Sequence, residues 1–360
     1  MIGATNGGGA FMISTEQLAG FRYVQDLLDQ PAALASTLDS LEASPAPGDL
    51  ADDIARGRFR RVVLTGMGSS FHALGPLHLR LIESGIPSLR VETSELVHYM
   101  PALVAPDSLL VVVSQSGQSA EVIRLLEAAG GRVPVVAVTN TPSSPLARES
   151  KFVVETRAGE EATVSTKTYV ASLAALEWLG AVLTRAGVPP VLRVLRSACA
   201  GMTEYLSSWT AQVESLTRFL EGVDHIFLVG RGRSLASAGT GGLILKEAAH
   251  FPAEGMSSAA FRHGPLEMVR PGVLVCVFAG ESLTIDLNRR LAADVSRGGG
   301  KVAWIGNDAD LEALRVRVQA AEALPLMEIL PVQMISLALA ARAGREPGAF
   351  VRLSKVTTIE

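Results

Sequence analysis

Two strand-like segments that each end in a glycine pair recur at an almost constant distance along the chain. Arg61–Gly68 is followed 164 residues later by His225–Gly232, with apolar, largely β-branched residues before the glycines in both. Two later landmarks repeat at offsets of 163 and 167 residues; they pair Gly117 with Gly280 and Asn140 with Asn307. Three landmarks at nearly one offset indicate an internal duplication.

Short apolar strands alternate with helical patterns in each copy. The predicted strands cover 61–66, 88–92, 108–113 and 133–138 in the first copy and 225–230, 274–280 and 302–307 in the second. This alternation predicts βαβ units and parallel sheets. The expected fold is α/β, with two tandem domains that are each a doubly wound parallel sheet with flanking helices, in the flavodoxin-like arrangement.

The 360 residues suffice for two domains of ordinary size, and Pro189-Pro190 marks the expected junction. The predicted segments are a disordered N-terminus 1–12, an N-terminal helical segment 13–45, a first domain 46–190, a linker helix 191–222, a second domain 223–345 and a C-terminal tail 346–360.

Composition excludes several classes of protein. The net charge of −4 without Lys/Arg clusters argues against a nucleic-acid surface, and no uninterrupted apolar run reaches membrane-spanning length. Two cysteines and six scattered histidines form neither a disulfide framework nor a zinc spacing, so no metal and no cofactor are expected. The N-terminus lacks the basic start and apolar stretch of a signal peptide, so a cytoplasmic location is expected.

A hydroxyl-rich loop, Ser114–Ser119, follows the third strand. Ligands bind at the carboxyl ends of strands in open α/β sheets, and the N-terminus of the next helix favours an anion there. Neutral donors and a helix dipole suit a phosphate monoester. The alternative is that Ser119 merely caps the helix. Gly66-x-Gly68 also resembles a dinucleotide fingerprint, but Phe71 replaces its third glycine.

Five motifs in order give the chain a resemblance to the sugar isomerase (SIS) family, in the double arrangement of the isomerase half of glucosamine-6-phosphate synthase and of stand-alone SIS-type glucosamine-6-phosphate deaminases. The resemblance covers about residues 45 to 360 and rests on the segments 68–71, 114–119, 164–167, 245–247 with 261–266, and 353–357.

The resemblance implies a role for each group of residues. Phosphate-binding residues would be Ser70, Ser114, Gln115, Ser116 and Ser119; sugar-binding residues would be Gly68, Ser69, Thr163 and Ser165; catalytic residues would be Glu247, His263 and Lys355. Glu247 would move a proton between C1 and C2, and His263 would open the sugar ring from a neighbouring subunit of a homodimer. Lys355, in a tail that closes the site, would contact the open-chain sugar.

The chemistry of these residue types agrees with those roles and leaves structural alternatives. A partly buried carboxylate suits proton transfer next to a carbonyl, and histidine suits ring opening near neutral pH. Alternatively, Glu247 is a surface carboxylate beside Lys246, and His263 is a structural loop histidine. Lys355 either forms a Schiff base or belongs to an ordinary charged tail.

Departures from the synthase pattern direct the choice of reaction. The chain shows no N-terminal cysteine and no glutaminase domain, and Ile244 stands where the family has a lysine that shuttles a proton. Gln118 and Ser119 replace a glutamate and a threonine. The resulting hypothesis is deamination and isomerisation of glucosamine 6-phosphate to fructose 6-phosphate and ammonia, or a related fructosamine-phosphate deglycase. The alternatives are an aldose–ketose isomerase without nitrogen chemistry and a non-catalytic sugar-phosphate-binding regulator.

Overall fold

The computed structural model describes residues 12–352 and 354–355, so the predicted disordered N-terminus lies outside it except for Met12. Strands are β1 (Arg61–Gly66), β2 (Ser88–Glu92), β3 (Ser108–Val113), β4 (Val135–Thr139), β5 (Phe152–Glu155), β6 (His225–Gly230), β7 (Ala253–Ser257), β8 (Val273–Phe278) and β9 (Lys301–Ile305). Helices are α1 (Thr15–Leu18), α2 (Arg22–Leu28), α3 (Gln30–Ala43), α4 (Gly48–Ala55), α5 (Gly68–Glu83), α6 (Thr93–Tyr99), α7 (Ala120–Ala129), α8 (Pro145–Glu149), α9 (Lys167–Leu183), α10 (Val188–Leu206), α11 (Trp209–Phe219), α12 (Leu235–Ala249), α13 (Ser258–Arg262), α14 (Ile285–Arg297) and α15 (Leu324–Arg342).

Both halves are parallel sheets of the same topology. The first sheet has the order β2-β1-β3-β4-β5 and the second has the order β7-β6-β8-β9. Every strand pair in both sheets is parallel. The predicted fold of two flavodoxin-like α/β domains is confirmed, and each order reverses next to its first strand, which creates a crevice at the carboxyl ends.

One hydrophobic core runs through both halves. All residues of α9 are buried, and so are residues 325–341 of α15. Helices that are apolar on every side require such an interior position. Their side chains share a core with apolar residues of both sheets, including Val62 of β1 and Leu228 of β6.

The N-terminal helices and two buried arginines also join the halves. Reciprocal 2.9 Å hydrogen bonds link the Gln30 and Gln333 amides. Arg80 of the first half pairs with Glu322 of the second at 3.3 Å, and Arg233 of the second half pairs with Glu83 of the first at 3.1 Å. These contacts, with the shared core, make the two domains one packed unit. The predicted junction at Pro189-Pro190 falls in the first turn of α10, where proline is tolerated.

Helix α12 packs on its neighbours at backbone distance. A Cβ atom on Gly242 would lie 2.7 Å from the backbone nitrogen of Gly255, and one on Gly255 would overlap the carbonyl oxygen of Ala238. A Cβ on Gly239 would overlap the ring of His72 in α5. Glycine at these positions therefore brings α12 closer to β7 and α5 than side chains would allow.

The stretch Ala321–Arg342 is the only segment among the described residues that is long and apolar enough to cross a membrane, and 94% of its most apolar window is buried inside the protein. Glu328 interrupts this apolar helix and is 1% exposed. Its Oε1 accepts a 2.8 Å hydrogen bond from Ser234. Burial raises the pKa of Glu328 to about 7, against the lowering effect of nearby serine hydroxyls.

We predict that Gly255→Ala destabilises the protein, because the new methyl group must push α12 away from β7. Overpacking of this kind costs about 1–3 kcal/mol of unfolding free energy or more. Urea unfolding measures the loss. Gly48→Ala is the matched control, since nothing lies within 4 Å of a Cβ at that helical position. Equal stabilities of the two variants would contradict the close packing.

We predict that Glu328→Gln changes how stability depends on pH. The pKa of Glu328 is 4.5 in the unfolded chain and about 7 in the folded protein. Between these two pH values the native state binds more protons than the unfolded state, so the unfolding free energy of the wild type falls as the pH rises. The neutral amide removes this loss, so the variant should gain up to about 3 kcal/mol near pH 8 and nothing near pH 4.5. Urea unfolding at both pH values checks this; a gain independent of pH would contradict the assignment.

Candidate active site

The predicted serine loop and the first turn of α5 meet at the crevice of the first sheet. β1 and β3 are neighbours, with Gly66 paired to Val113. The segment Gly68–Ser70 begins α5 directly after β1, and Ser114–Ser119 follows β3. Two helix N-termini, those of α5 and α7, therefore adjoin one crevice, an arrangement that favours an anion.

Hydrogen bonds within the 114–119 loop fix its shape. The Ser114 Oγ accepts the backbone N–H of Gly117 at 3.1 Å, and the Gln115 carbonyl accepts the backbone N–H of Asn140 at 3.1 Å. Gly117 has a φ of +61°, and a Cβ there would overlap the Ser144 side chain. Only glycine fits both constraints, so the loop is built by its own sequence together with the end of β4.

Ser119 stands at the N-cap of α7 with extended backbone angles, but its side chain makes no capping hydrogen bond. The interpretation of Ser119 as a simple helix cap is therefore not supported by the geometry. Its hydroxyl is half-buried at the loop, as is the side chain of Ser116. Neither side chain is therefore used to cap α7.

Packing of α12 along α5 determines the position of Glu247. A Cβ atom on Gly239 would meet the His72 ring of α5, and one on Gly68 would lie 3.8 Å from the Leu243 side chain. Positions 239, 243 and 247 share one face of the helix because they are spaced by four residues. Glu247 therefore follows on this face at the level just beyond the N-terminus of α5, on the side of the crevice.

Glu247 is a half-buried carboxylate between two cations. Burial raises its pKa, and the charges of Lys355 and Lys246 lower it. A cavity of about 760 Å³ borders Glu247; its other lining residues are Lys246, His250–Pro252, Arg345, Glu346 and Ala349–Arg352. The serines of the 114–119 loop do not line this cavity.

The C-terminal tail is anchored to α12 and to the loop after β5. The backbone N–H of Gly348 donates to the Ala248 carbonyl at 3.0 Å, and a Cβ on Gly348 would lie 3.1 Å from the Thr163 Oγ1. That Thr163 hydroxyl is buried without a hydrogen-bond partner. Ser165 contacts the Thr168 hydroxyl at 3.1 Å. A buried donor without a partner at this position is available to a ligand.

Lys355 is ion-paired in the structure. Its Nζ lies 2.6 Å from the Glu161 Oε2 and 2.5 Å from the Thr163 carbonyl oxygen. An amine that attacks a carbonyl must first leave this carboxylate. The tail thus reaches the loop that carries the two predicted sugar-binding residues.

His263 lies apart from these groups. It is exposed, ends α13, and is absent from the residues that line the cavity next to Glu247. Ile244, by contrast, is fully buried in α12 and belongs to the shared core, so no cation occupies that position.

The corresponding crevice of the second sheet is occupied by protein groups. The offset of 164 residues places Arg233 and Ser234 where the first half has Ser69 and Ser70. Arg233 pairs with Glu281 at 2.5 Å, and Ser234 donates to Glu328. These contacts engage the Arg233 guanidinium and the Ser234 hydroxyl with protein carboxylates, and the predicted hydroxyl cluster has no counterpart in this half.

Four residues near the site escaped the sequence analysis as functional candidates. Asn140 binds the loop after β5 through Ala158 and Gly159, at 2.7 and 2.8 Å. Glu161 binds Lys355. Burial, together with the nearby charges of Glu247 and Glu161, raises the pKa of Tyr23. His72 is neutral because burial, then Arg90 and Lys246, lower its pKa to about 4. No group of three or more potential metal ligands occurs in the described part of the chain.

Comparison with known proteins finds two matches to the SIS domain, at residues 58–181 and 219–343. The glutamine–fructose-6-phosphate aminotransferase (isomerizing) of Sulfurisphaera tokodaii is 28% identical over 363 residues. That match covers 97% of this chain and 58% of the aminotransferase, so the chain spans little more than half the length of this relative.

Two solved structures share the fold. The C-terminal domain of glucosamine-fructose-6-phosphate aminotransferase from Francisella tularensis superposes with a TM-score of 0.78 and 22% identity, over 90% of this chain and 96% of that domain. Glucosamine-6-phosphate deaminase from Thermotoga maritima gives a TM-score of 0.76 and 18% identity, over 94% of this chain and 100% of that protein. At such identities the likeness concerns the fold alone.

Proposed function

The chain belongs to the SIS domain family, and we propose that it is an enzyme that deaminates and isomerises an amino-sugar phosphate, with glucosamine 6-phosphate as the expected substrate. The observation that carries the proposal is the position of Glu247, a half-buried carboxylate between Lys246 and Lys355 at the level of the α5 N-terminus. Proton transfer next to a carbonyl needs such a base beside a phosphate-binding site.

The substrate phosphate would lie in the crevice of the first sheet. Its donors would be the side chains of Ser70, Ser114, Gln115, Ser116 and Ser119, with the two helix N-termini supplying partial positive charge. The crevice contributes neutral hydrogen-bond donors at these positions, which suits a phosphate monoester bound by many weak donors. Gly68, Ser69, Thr163 and Ser165 would face the sugar, and the unpartnered Thr163 hydroxyl is the best supported of these.

Glu247 would carry out the proton transfer. In the open-chain amino sugar, its carboxylate takes the proton from C2 and returns it to C1. The C1 aldehyde oxygen gains one proton and the amine nitrogen loses one, so that C1 becomes a CH2OH group and the C2–nitrogen bond becomes an imine. Water adds to this imine and expels ammonia, which leaves the C2 ketone of fructose 6-phosphate. The positive charges of Lys246 and Lys355 would stabilise the negative charge that develops on the enediol-like intermediate.

Ile244 favours this reaction over a simple aldose–ketose isomerisation. An isomerase must also move a proton between the C1 and C2 oxygens, and the buried Ile244 side chain cannot do so. The deamination moves no proton between two sugar oxygens, because the amine nitrogen loses one proton and the C1 oxygen gains one, and water can carry both. Exchange of substrate hydrogen in heavy water distinguishes the two, because the isomerase alternative exchanges fructose 6-phosphate without any amine.

We predict that the purified protein releases ammonia from glucosamine 6-phosphate but not from unphosphorylated glucosamine, which cannot occupy the crevice. Glu247→Gln should lower kcat about a hundredfold to ten-thousandfold, the usual contribution of a general base. Because burial raises the pKa of Glu247, the acid limb of the kcat/KM profile should lie above 4.5, the ordinary carboxyl value. Absence of both ammonia release and reverse amination would exclude the deaminase.

We further infer a homodimer in which His263 enters the site of the neighbouring copy, because His263 is exposed and does not line the cavity beside Glu247. Ring opening needs an acid–base group near neutral pH, and the cavity beside Glu247 offers only His250, whose Nε2 contacts the Ala349 carbonyl at 3.2 Å.

We predict complementation between two inactive variants, Glu247→Gln and His263→Asn. Co-expressed as a random mixture, they should recover about one quarter of the wild-type activity, since half the dimers are mixed and each has one intact site. Light scattering gives the mass of the assembly. A strict monomer, or a mixture no more active than its components, would contradict the shared site.

A further inference from the structure

We propose that Glu161 is a positioning residue that fixes the C-terminal tail over the active site by binding Lys355 and the sugar-facing loop with one carboxylate. Its effect on catalysis rests on the function proposed above, but its anchoring of the tail rests on contacts alone. Glu161 is a side chain without solvent exposure, in a stretch of charged residues on the loop that follows β5.

One side of the carboxylate organises the start of α9. The Glu161 Oε1 accepts the backbone N–H groups of Thr166 and Thr168 at 2.8 and 3.1 Å, and the Thr166 hydroxyl at 3.1 Å. These N–H groups belong to the helix end that has no intrahelical partner. Glu161 therefore caps α9 from a distance and holds the turn that contains Ser165.

The other oxygen of the same carboxylate binds the tail. Glu161 Oε2 accepts the Thr168 hydroxyl at 2.6 Å and the Lys355 ammonium at 2.6 Å. Lys355 also donates to the Thr163 carbonyl, and its side chain is 26% exposed. Ion pairs shielded from water are stronger than surface pairs, and breaking one partner leaves a buried charge. Lys355, the last residue that the structure describes, thus attaches the tail to the loop.

This contact also sets the charge beside Glu247. The charge of Lys355 lowers the pKa of Glu247, so the place where Glu161 holds that charge affects Glu247. A separate backbone hydrogen bond, from Gly348 to Ala248, links the tail to α12. If Glu161 is removed, Lys355 loses its fixed position and Glu247 loses a neighbouring positive charge. A purely structural role in capping α9 predicts no such change.

The test is hydrogen exchange of tail peptides within 345–352 and of the α9 start in Glu161→Gln, Lys355→Gln and the double variant. Tail exchange should accelerate about tenfold to a hundredfold in either single variant, the worth of a charge-assisted hydrogen bond. The double variant should add little, because both changes break the same contact. Lys355→Gln should leave the α9 start protected, since Glu161 remains to cap it.

Glu177→Gln is the matched control, because Glu177 is another buried carboxylate, paired with Arg80 away from the tail. It should lower global stability without accelerating tail exchange selectively. Unchanged tail exchange in Lys355→Gln, or equal acceleration in the control, would overturn the proposal. If Glu161→Gln fails to fold, Lys355→Gln alone decides the outcome.

Kinetics separate this proposal from the proposed function. With an active enzyme, Glu161→Gln should lower kcat/KM and move the acid limb of its pH profile upward, because the Lys355 charge no longer favours ionised Glu247. An enzyme inactive on amino-sugar phosphates would reject the function and leave the exchange result intact. An enzyme that releases ammonia, with tail exchange unchanged in Glu161→Gln and Lys355→Gln, would reject the anchor and leave the proposed function intact.

Discussion

The close contact of α12 with β7 and α5 determines where the functional groups of this protein meet. Helices separated by ordinary side chains lie about 8–10 Å apart. Gly242 and Gly255 let α12 approach β7 at backbone distance, and Gly239 leaves room for the His72 ring of α5. This approach aligns α12 along α5, so that a residue of the second half stands over a crevice of the first. In the proposed reaction the two copies of the duplicated domain would have different roles, since the first would offer neutral donors and the second the carboxylate.

Near α12, a positively charged side chain stands between two negatively charged ones. Glu161, Lys355 and Glu247 come from three separate segments, and Lys355 influences both acids. The crevice itself contains hydroxyls and helix ends instead of these lysines, which is why we propose that it binds the phosphate group. The second crevice shows the opposite state, because Arg233 and Glu281 neutralise each other there.

The sequence predicted features that depend on neighbouring residues and missed those that depend on distant ones. Most predicted strands agree with the structure to within two residues, because a buried apolar run is a local signal. Two strands were missed. β5 is a four-residue strand at the edge of its sheet, and β7 (Ala253–Ser257) contains Glu254 and Gly255 and has no apolar run. The serine loop is contiguous, but Glu161 acquires its meaning from Lys355, which lies 194 residues away. The position of α12, which carries Glu247, likewise depends on Gly255 of β7, which only folding brings against the helix.

A single core through both halves has a consequence for the motions available to the protein. Hinged separation of the domains would expose α9 and α15, which are buried on every side, and would break the Gln30–Gln333 pair. Such an opening costs too much apolar surface to accompany each turnover. Small molecules would then enter and leave the proposed site past the C-terminal tail, which contacts α12 through Gly348. We expect displacement of this tail, and not rotation of the domains, to be the slow step of turnover.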